Sequence, residues 1–121
     1  MKEREKLREH FVSHPVSVRL LSLVNHLARV ESQADDPAQS EAVQKVIRES
    51  MFFIEYIVPD VELNLQVELF ELQRLLARWY HHWAEIEADE AQRKAVAEQA
   101  GEWSQRARQA AELLQPAREV A

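Results

Sequence analysis

The stretch that decides the fold is LQVELFELQRLLARWYHHWAEI, residues 65–86. Its large apolar side chains recur in alternating steps of four and three, the spacing that places them along one face of a helix. These seam residues are Leu65, Leu69, Leu72, Leu76, Trp79, Trp83 and Ile86. The pattern predicts a long helix with a coiled-coil-like seam, a spacing that helical bundles formed within one chain also use.

A second apolar line lies on the other side of the same helix. Leu63, Val67 and Phe70 follow the same spacing but fall opposite the seam. A helix that is apolar on two faces has to be covered on two sides. We therefore expect this helix to be the central one of the fold.

Three other segments have helical periodicity, and local signals mark where they begin and end. The first has apolar residues in steps of four and three at Val16, Leu20, Leu23, Leu27 and Val30. The next begins at Asp36-Pro37, a capping residue followed by proline, and ends at Pro59. The last is rich in alanine and ends before Pro116.

The sequence thus predicts an all-α, antiparallel four-helix bundle-like arrangement. Its helices are expected at about 15–32, 37–57, 60–86 and 89–115, after a short N-terminal helical segment. No proline or glycine separates the last two, so one long continuous helix is the alternative. Asp89 and Gln92 have the spacing of a capping box, which favours a chain reversal near 87–90.

The composition fits such a bundle and excludes several kinds of chemistry. The 121 residues are about the size of one domain, so we expect a single domain over 1–121. With one glycine and four prolines, the chain has few of the turns that a many-stranded sheet needs. It has no cysteine, which excludes disulfides, thiolate metal sites and cysteine nucleophiles.

The charge distribution bears on partners and location. The net charge is −6, and residues 60–90 account for the whole deficit. Without a basic stripe the chain is a poor candidate for binding nucleic acid. No apolar run is long enough to span a bilayer, and the first ten residues are too charged for a secretory signal. We expect a cytoplasmic protein without membrane contact.

No residue pattern predicts catalysis, a cofactor or a metal site. His81 and His82 are adjacent on a helix and diverge by about 100°, so they cannot readily share one ion. His10 and His14 have chelating spacing, but Pro15 disfavours a helical geometry at His14. Glu55 interrupts an apolar run and is expected to face solvent; if buried, it would need an arginine partner.

The surplus of apolar and aromatic surface predicts a non-enzymatic helical protein–protein interaction module, with self-association as a homodimer. The expected interface residues are Leu69, Leu76, Trp79, Tyr80, Trp83, Ile86 and Trp103. Aromatic side chains are enriched at such interfaces. The alternative is a bundle that binds a small apolar ligand near the cluster from Trp79 to Trp83.

Overall fold

The computed structural model describes residues 2–114, which form six α-helices and no strand. The helices are α1 (Lys2–Val12), α2 (Val16–Gln33), α3 (Ser40–Ile57), α4 (Leu63–His81), α5 (Trp83–Glu87) and α6 (Glu90–Leu113). Single 3-10 turns precede α3 at Pro37–Gln39 and follow it at Val58–Asp60. The all-α, bundle-like arrangement predicted from the sequence is confirmed, with α2, α3, α4 and α6 as its main helices.

The central helix is α2, so the expectation that the third predicted helix is central is wrong. Helix α2 packs extensively against α6 on one side and against α3 on the other. Helix α4 packs mainly on α3 and meets α6 at only a few positions. Its seam lies in the core, whereas none of the helices in the described part of the chain covers its second apolar face.

Small residues explain why α6 approaches α2 so closely. Ala100, Ala107 and Ala111 are buried at this contact, and the hydroxyl of Ser104 donates to the Val24 carbonyl at 3.3 Å. Short side chains let two helix axes come nearer than leucine or tryptophan would allow. The alanine-rich composition of α6 therefore selects α2 as its partner.

Two predicted boundaries need correction in the segment 60–86. Helix α4 begins at Leu63, and the helix is interrupted at His82, whose φ of −106° and ψ of 16° are not helical. No proline or glycine causes this break. The change of direction instead brings the Trp83 indole N–H within 3.0 Å of the Ser40 hydroxyl on α3. The end of α4 thus coincides with a hydrogen bond between Trp83 and the distant residue Ser40.

The chain reversal near 87–90 is confirmed, and the alternative of one continuous helix is wrong. Asp89 has extended backbone, and its carboxylate accepts from the backbone N–H of Ala91 at 3.0 Å and from the Gln92 amide. Helix α6 starts at the next residue and runs back along the bundle. The local signal of an aspartate cap was sufficient here.

The predicted N-terminal helical segment is also confirmed, as α1. It contacts α2 and α3 near its C-terminal end. Phe11 is buried there and stacks on Phe53 of α3, with ring centroids 4.6 Å apart. The burial of Phe11 therefore attaches α1 to the bundle, whereas the other described side chains of α1 are exposed.

A buried arginine closes this same end of the bundle. Arg19 is almost fully buried and donates to the carbonyl of His14 at 3.0 Å and to that of Tyr56 at 2.8 Å. It also forms an ion pair with Asp60 at 2.8 Å. Glu55 is exposed, as expected, and the acidic partner of Arg19 is Asp60.

Candidate protein-interaction surface

Most of the predicted interface residues lie in the core of the single chain. Five are buried and pack within the main apolar cluster: Leu69, Leu76, Trp79, Trp83 and Ile86. Tyr80 and Trp103 are half-buried at its edge. The seam of α4 is thus already covered by neighbouring helices, and a partner would have to bind elsewhere or at the two edge residues.

Trp103 is held at the surface by a short chain of charged contacts. The Arg106 guanidinium lies 3.9 Å from the centroid of the Trp103 ring, a cation–π arrangement. Arg106 also pairs with Glu68 of α4 at 2.7 Å. This pair closes the sparse contact between α4 and α6 and covers part of the indole.

The exposed apolar surface of α4 is the second line, Leu63, Val67 and Phe70, which we call the outer line. The exposed fractions of these side chains are 71%, 51% and 49%. They succeed one another in steps of four and three, so they form one continuous ridge on the helix face opposite the core. Three large apolar side chains on one face of α4 are therefore about half or more exposed to water, which is energetically unfavourable.

Charged residues precede and follow the outer line along the chain. Asp60 and Glu62 precede the outer line, and both are exposed even though Asp60 pairs with Arg19. Arg74 and Arg78 follow it, and residues 60–90 contain no other arginine and no lysine. Neither arginine forms an ion pair within the part of the chain that the structure describes. Glu62 lies seven residues before the core residue Leu69 and is therefore on the seam side of the helix, whereas the exposed Glu71 lies between the outer line and Arg74. The charges along this face are therefore mixed.

A cleft also lies beside the aromatic cluster, between α4–α5 and α6. Its volume is about 230 Å³, and Arg78, His82, Glu85 and Gln92 line it together with one side of Trp79. The Trp79 and Trp83 side chains are only 4% and 3% exposed. The indoles thus serve mainly as packing groups, and the cleft is lined by charged, amide and apolar side chains.

Four of the histidines contact a carboxylate or another imidazole ring. The side chain of His26 is 19% exposed and contacts Glu49 at 3.0 Å, whereas His82 forms a surface pair with Glu85 at 3.6 Å. The rings of His10 and His14 meet edge to face with centroids 5.0 Å apart. Among residues 2–114, no group of three histidine or carboxylate side chains is placed to hold a metal ion.

The outer line could be found in the sequence, but its exposure could not. Its spacing is visible in the printed residues, and we expected a second helix to cover it. Within residues 2–114 no helix covers the outer line, because α6 packs on α2 instead. The expectation that this second face of the helix is covered within the bundle is therefore wrong for residues 2–114.

Residues 2–114 thus form an all-α bundle in which the outer line of α4 is an exposed apolar helix face. Comparison with protein-family models, with curated protein sequences and with solved structures gave no match to this chain. None of the helices in the described part of the chain is long and apolar enough to cross a lipid bilayer.

Proposed function

We propose that this chain is a non-enzymatic helical protein–protein interaction module, an adaptor, assembly or regulatory protein of the cytoplasm. The observation that supports the proposal is the outer line of α4. Leu63, Val67 and Phe70 form a contiguous exposed apolar ridge on a well-defined helix. Patches of this kind on globular proteins usually mark binding sites for other proteins.

The spacing of the outer line indicates the shape of the partner. Steps of four and three along a helix match the side chains of a second helix that packs beside it at a small angle. Burying a leucine, valine or phenylalanine side chain contributes roughly 1.5–3 kcal/mol each. Such a contact can therefore offset a substantial part of the entropy lost on association.

The proposal places the binding surface on a different face of α4 from the seam predicted in the sequence. A partner that used Leu69, Leu76 or Trp83 would have to displace the helices that now cover them. Binding at the outer line leaves the core intact. Tyr80 and Trp103, which are half-buried, lie outside the outer line and are not needed for this contact.

Site-specific photo-crosslinking in the native cell tests the proposal. A benzophenone amino acid in place of Val67 is expected to give a discrete adduct with a protein, because the side chain points into the proposed contact. The matched control carries the same group in place of Glu98, which is exposed on α6. Absence of any discrete adduct from position 67, or the same adducts from both positions, would contradict the proposal.

The cleft beside Trp79 gives the alternative of a small apolar ligand some support. However, its volume of about 230 Å³ is below the roughly 300–1,000 Å³ of ordinary ligand pockets. Its rim is also rich in charged and amide side chains. A ligand bound there should change the Trp79 fluorescence at constant protein concentration, whereas a helix bound at the outer line should not reach that indole.

A further inference from the structure

We propose that His10 and His14 form a binding site for one divalent transition-metal ion at the junction of α1 and α2. The proposal is independent of the outer line, which lies on another helix. Imidazole nitrogen is a preferred ligand of zinc, copper and nickel ions. Two histidines four residues apart on one face of the chain can bind the same ion, as in helical zinc motifs. The structure brings these two side chains into that arrangement.

The backbone brings the two rings together despite the proline that follows them. The sequence indicates that Pro15 keeps His14 out of the α-helical conformation, and α1 does end before that residue. The chain nevertheless turns once more, because the backbone N–H of His14 donates to the carbonyl of Phe11 at 3.2 Å. The Ser13 hydroxyl donates to the carbonyl of His10 at 2.6 Å and stabilises the same turn. His14 therefore lies one turn beyond His10 although it is not helical.

The distance between the rings fits two ligands of one ion. Their centroids are 5.0 Å apart, and their planes are at 89°. With metal–nitrogen bonds of about 2.0–2.1 Å, each ring centroid lies about 3.2 Å from the ion. Two such rings have centroids about 4.5 Å apart at a right angle and about 5.2 Å apart at the tetrahedral angle. The observed separation lies between these values, and each ring can rotate about its metal–nitrogen bond, so the angle between the planes is not restricted.

Both imidazoles are accessible to an ion from solvent. His10 and His14 are exposed. Among the side chains that the structure describes, no hydrogen bond or ion pair occupies a ring nitrogen of either residue. By contrast, His26 and His82 each contact a glutamate. A rotation of the two exposed side chains is therefore sufficient to direct one nitrogen of each at a shared ion, and water completes the coordination.

Buried groups fix the main chain around the pair. Phe11, which follows the first histidine, is 6% exposed and stacks on Phe53 of α3. The carbonyl of His14 accepts from the buried Arg19 guanidinium at 3.0 Å. The charge of Arg19 is compensated by Asp60 at 2.8 Å, which reduces its repulsion of a nearby cation. Ligands that are held in place before binding lose less entropy than ligands that the ion has to assemble.

Isothermal titration of the full chain with zinc chloride, without a polyhistidine tag, tests the site. The wild type should bind one ion per chain with a dissociation constant in the micromolar range, weaker than zinc sites with four protein ligands. His10→Ala and His14→Ala each remove one of the two protein ligands, so each should raise that dissociation constant by about tenfold or more. Both residues are exposed, so unchanged circular dichroism spectra are expected to show that the variants fold.

His81→Ala is the matched control. His81 is also exposed and is adjacent to His82, but neighbouring side chains diverge on a helix and do not share an ion readily. This substitution should leave the zinc affinity unchanged. Absence of binding by the wild type up to about 1 mM zinc, or equal affinities of the wild type and His14→Ala, would overturn the proposal.

Bound zinc should also restrain the junction between α1 and α2. The ion bridges the two rings only while the turn from His10 to His14 is closed. At a free zinc concentration about ten times the dissociation constant, opening of this turn should become about elevenfold rarer. Amide hydrogen exchange in the last turn of α1 should slow by the same factor, and His14→Ala should show no slowing. Wild-type exchange that zinc leaves unchanged would mean that the two rings do not share one ion, which also overturns the proposal.

Discussion

Arg19 joins three parts of the chain at the level of a single residue. It is almost fully buried, yet its guanidinium reaches two carbonyls and the carboxylate of Asp60. Removing one partner of such a group leaves buried polar atoms unsatisfied, which costs more than the bond itself contributed. The residue therefore fixes the ends of α1, α2 and α3 relative to one another.

We expect Arg19→Ala to lower the free energy of unfolding by about 2–3 kcal/mol, because the charge-assisted bonds to Asp60 and the Tyr56 carbonyl are lost. The expected loss of stability is smaller than for a fully buried ion pair, because the side chain of Asp60 is 51% exposed. Urea denaturation of the variant and the wild type measures this difference in the free energy of unfolding. Arg29→Ala, on the exposed side of the same helix, is the control and should change little. Equal stabilities of the two variants would contradict this account.

Asp89 gives a pH-dependent prediction at the same scale. Its bonds from the Gln92 side chain and the Ala91 N–H lower the pKa of the carboxyl group below its ordinary value of 3.8. The folded state therefore favours the ionised form. This contribution to stability is complete above about pH 3.8 and is lost as the pH falls through the lower folded-state value.

Asp89→Ala should thus lower the thermal midpoint by a few degrees at neutral pH, and the difference from wild type should shrink in acid. Asp89→Asn retains a capping oxygen without the titrating charge, so its difference from wild type should stay small at neutral pH. Thermal unfolding at several pH values measures both variants. An alanine variant whose deficit grows in acid would contradict the proposed role of the ionised cap.

At the level of the element, α6 combines small residues for packing with one poor helix former. Gly101 lies within the helix where the side chain of Glu31 from α2 crosses it. A Cβ at this position would meet only the far end of that glutamate. Glu31 is exposed, and no hydrogen bond of its side chain is found within residues 2–114, so its carboxylate can move aside.

Gly101→Ala should therefore raise the free energy of unfolding by up to about 1 kcal/mol, the difference in helix propensity between the two residues. Ala100→Gly is the reverse substitution at the neighbouring buried position. It should lower the free energy of unfolding by about 1 kcal/mol or more. Chemical denaturation of both variants checks the pair. A loss of stability in Gly101→Ala would mean that the Glu31 side chain cannot leave its place.

At the scale of the whole molecule, the bundle encloses two of its three tryptophans. Trp79 and Trp83 are buried, whereas Trp103 is half-buried beneath Arg106. Acrylamide should therefore quench mainly Trp103, and Trp103→Phe should remove most of the quenchable fluorescence. Trp79→Phe is the matched control and should leave that component in place. Equal quenching of the two variants would contradict the enclosed arrangement of α4 and α5.

The candidate surface was only partly predictable from the sequence. The repeat of Leu63, Val67 and Phe70 is visible in the residues, as are the flanking charges. The predicted interface instead used the larger side chains of the seam, such as Trp83, which the structure places in the core. Large aromatic residues are enriched both in cores and at interfaces, so residue type alone does not separate the two.

The sequence by itself determined the all-α class, the number of main helices and most of their ends. These depend on apolar periodicity and on local signals, such as the Asp36-Pro37 start and the Asp89 cap, which act within a turn or two of chain. Only the tertiary structure decided that α2 is central, that the helix breaks at His82 and that the outer line stays uncovered. Those outcomes depend on which distant segments pack together. An apolar stripe indicates that a helix face is suited to a contact, but it does not identify the segment that packs there.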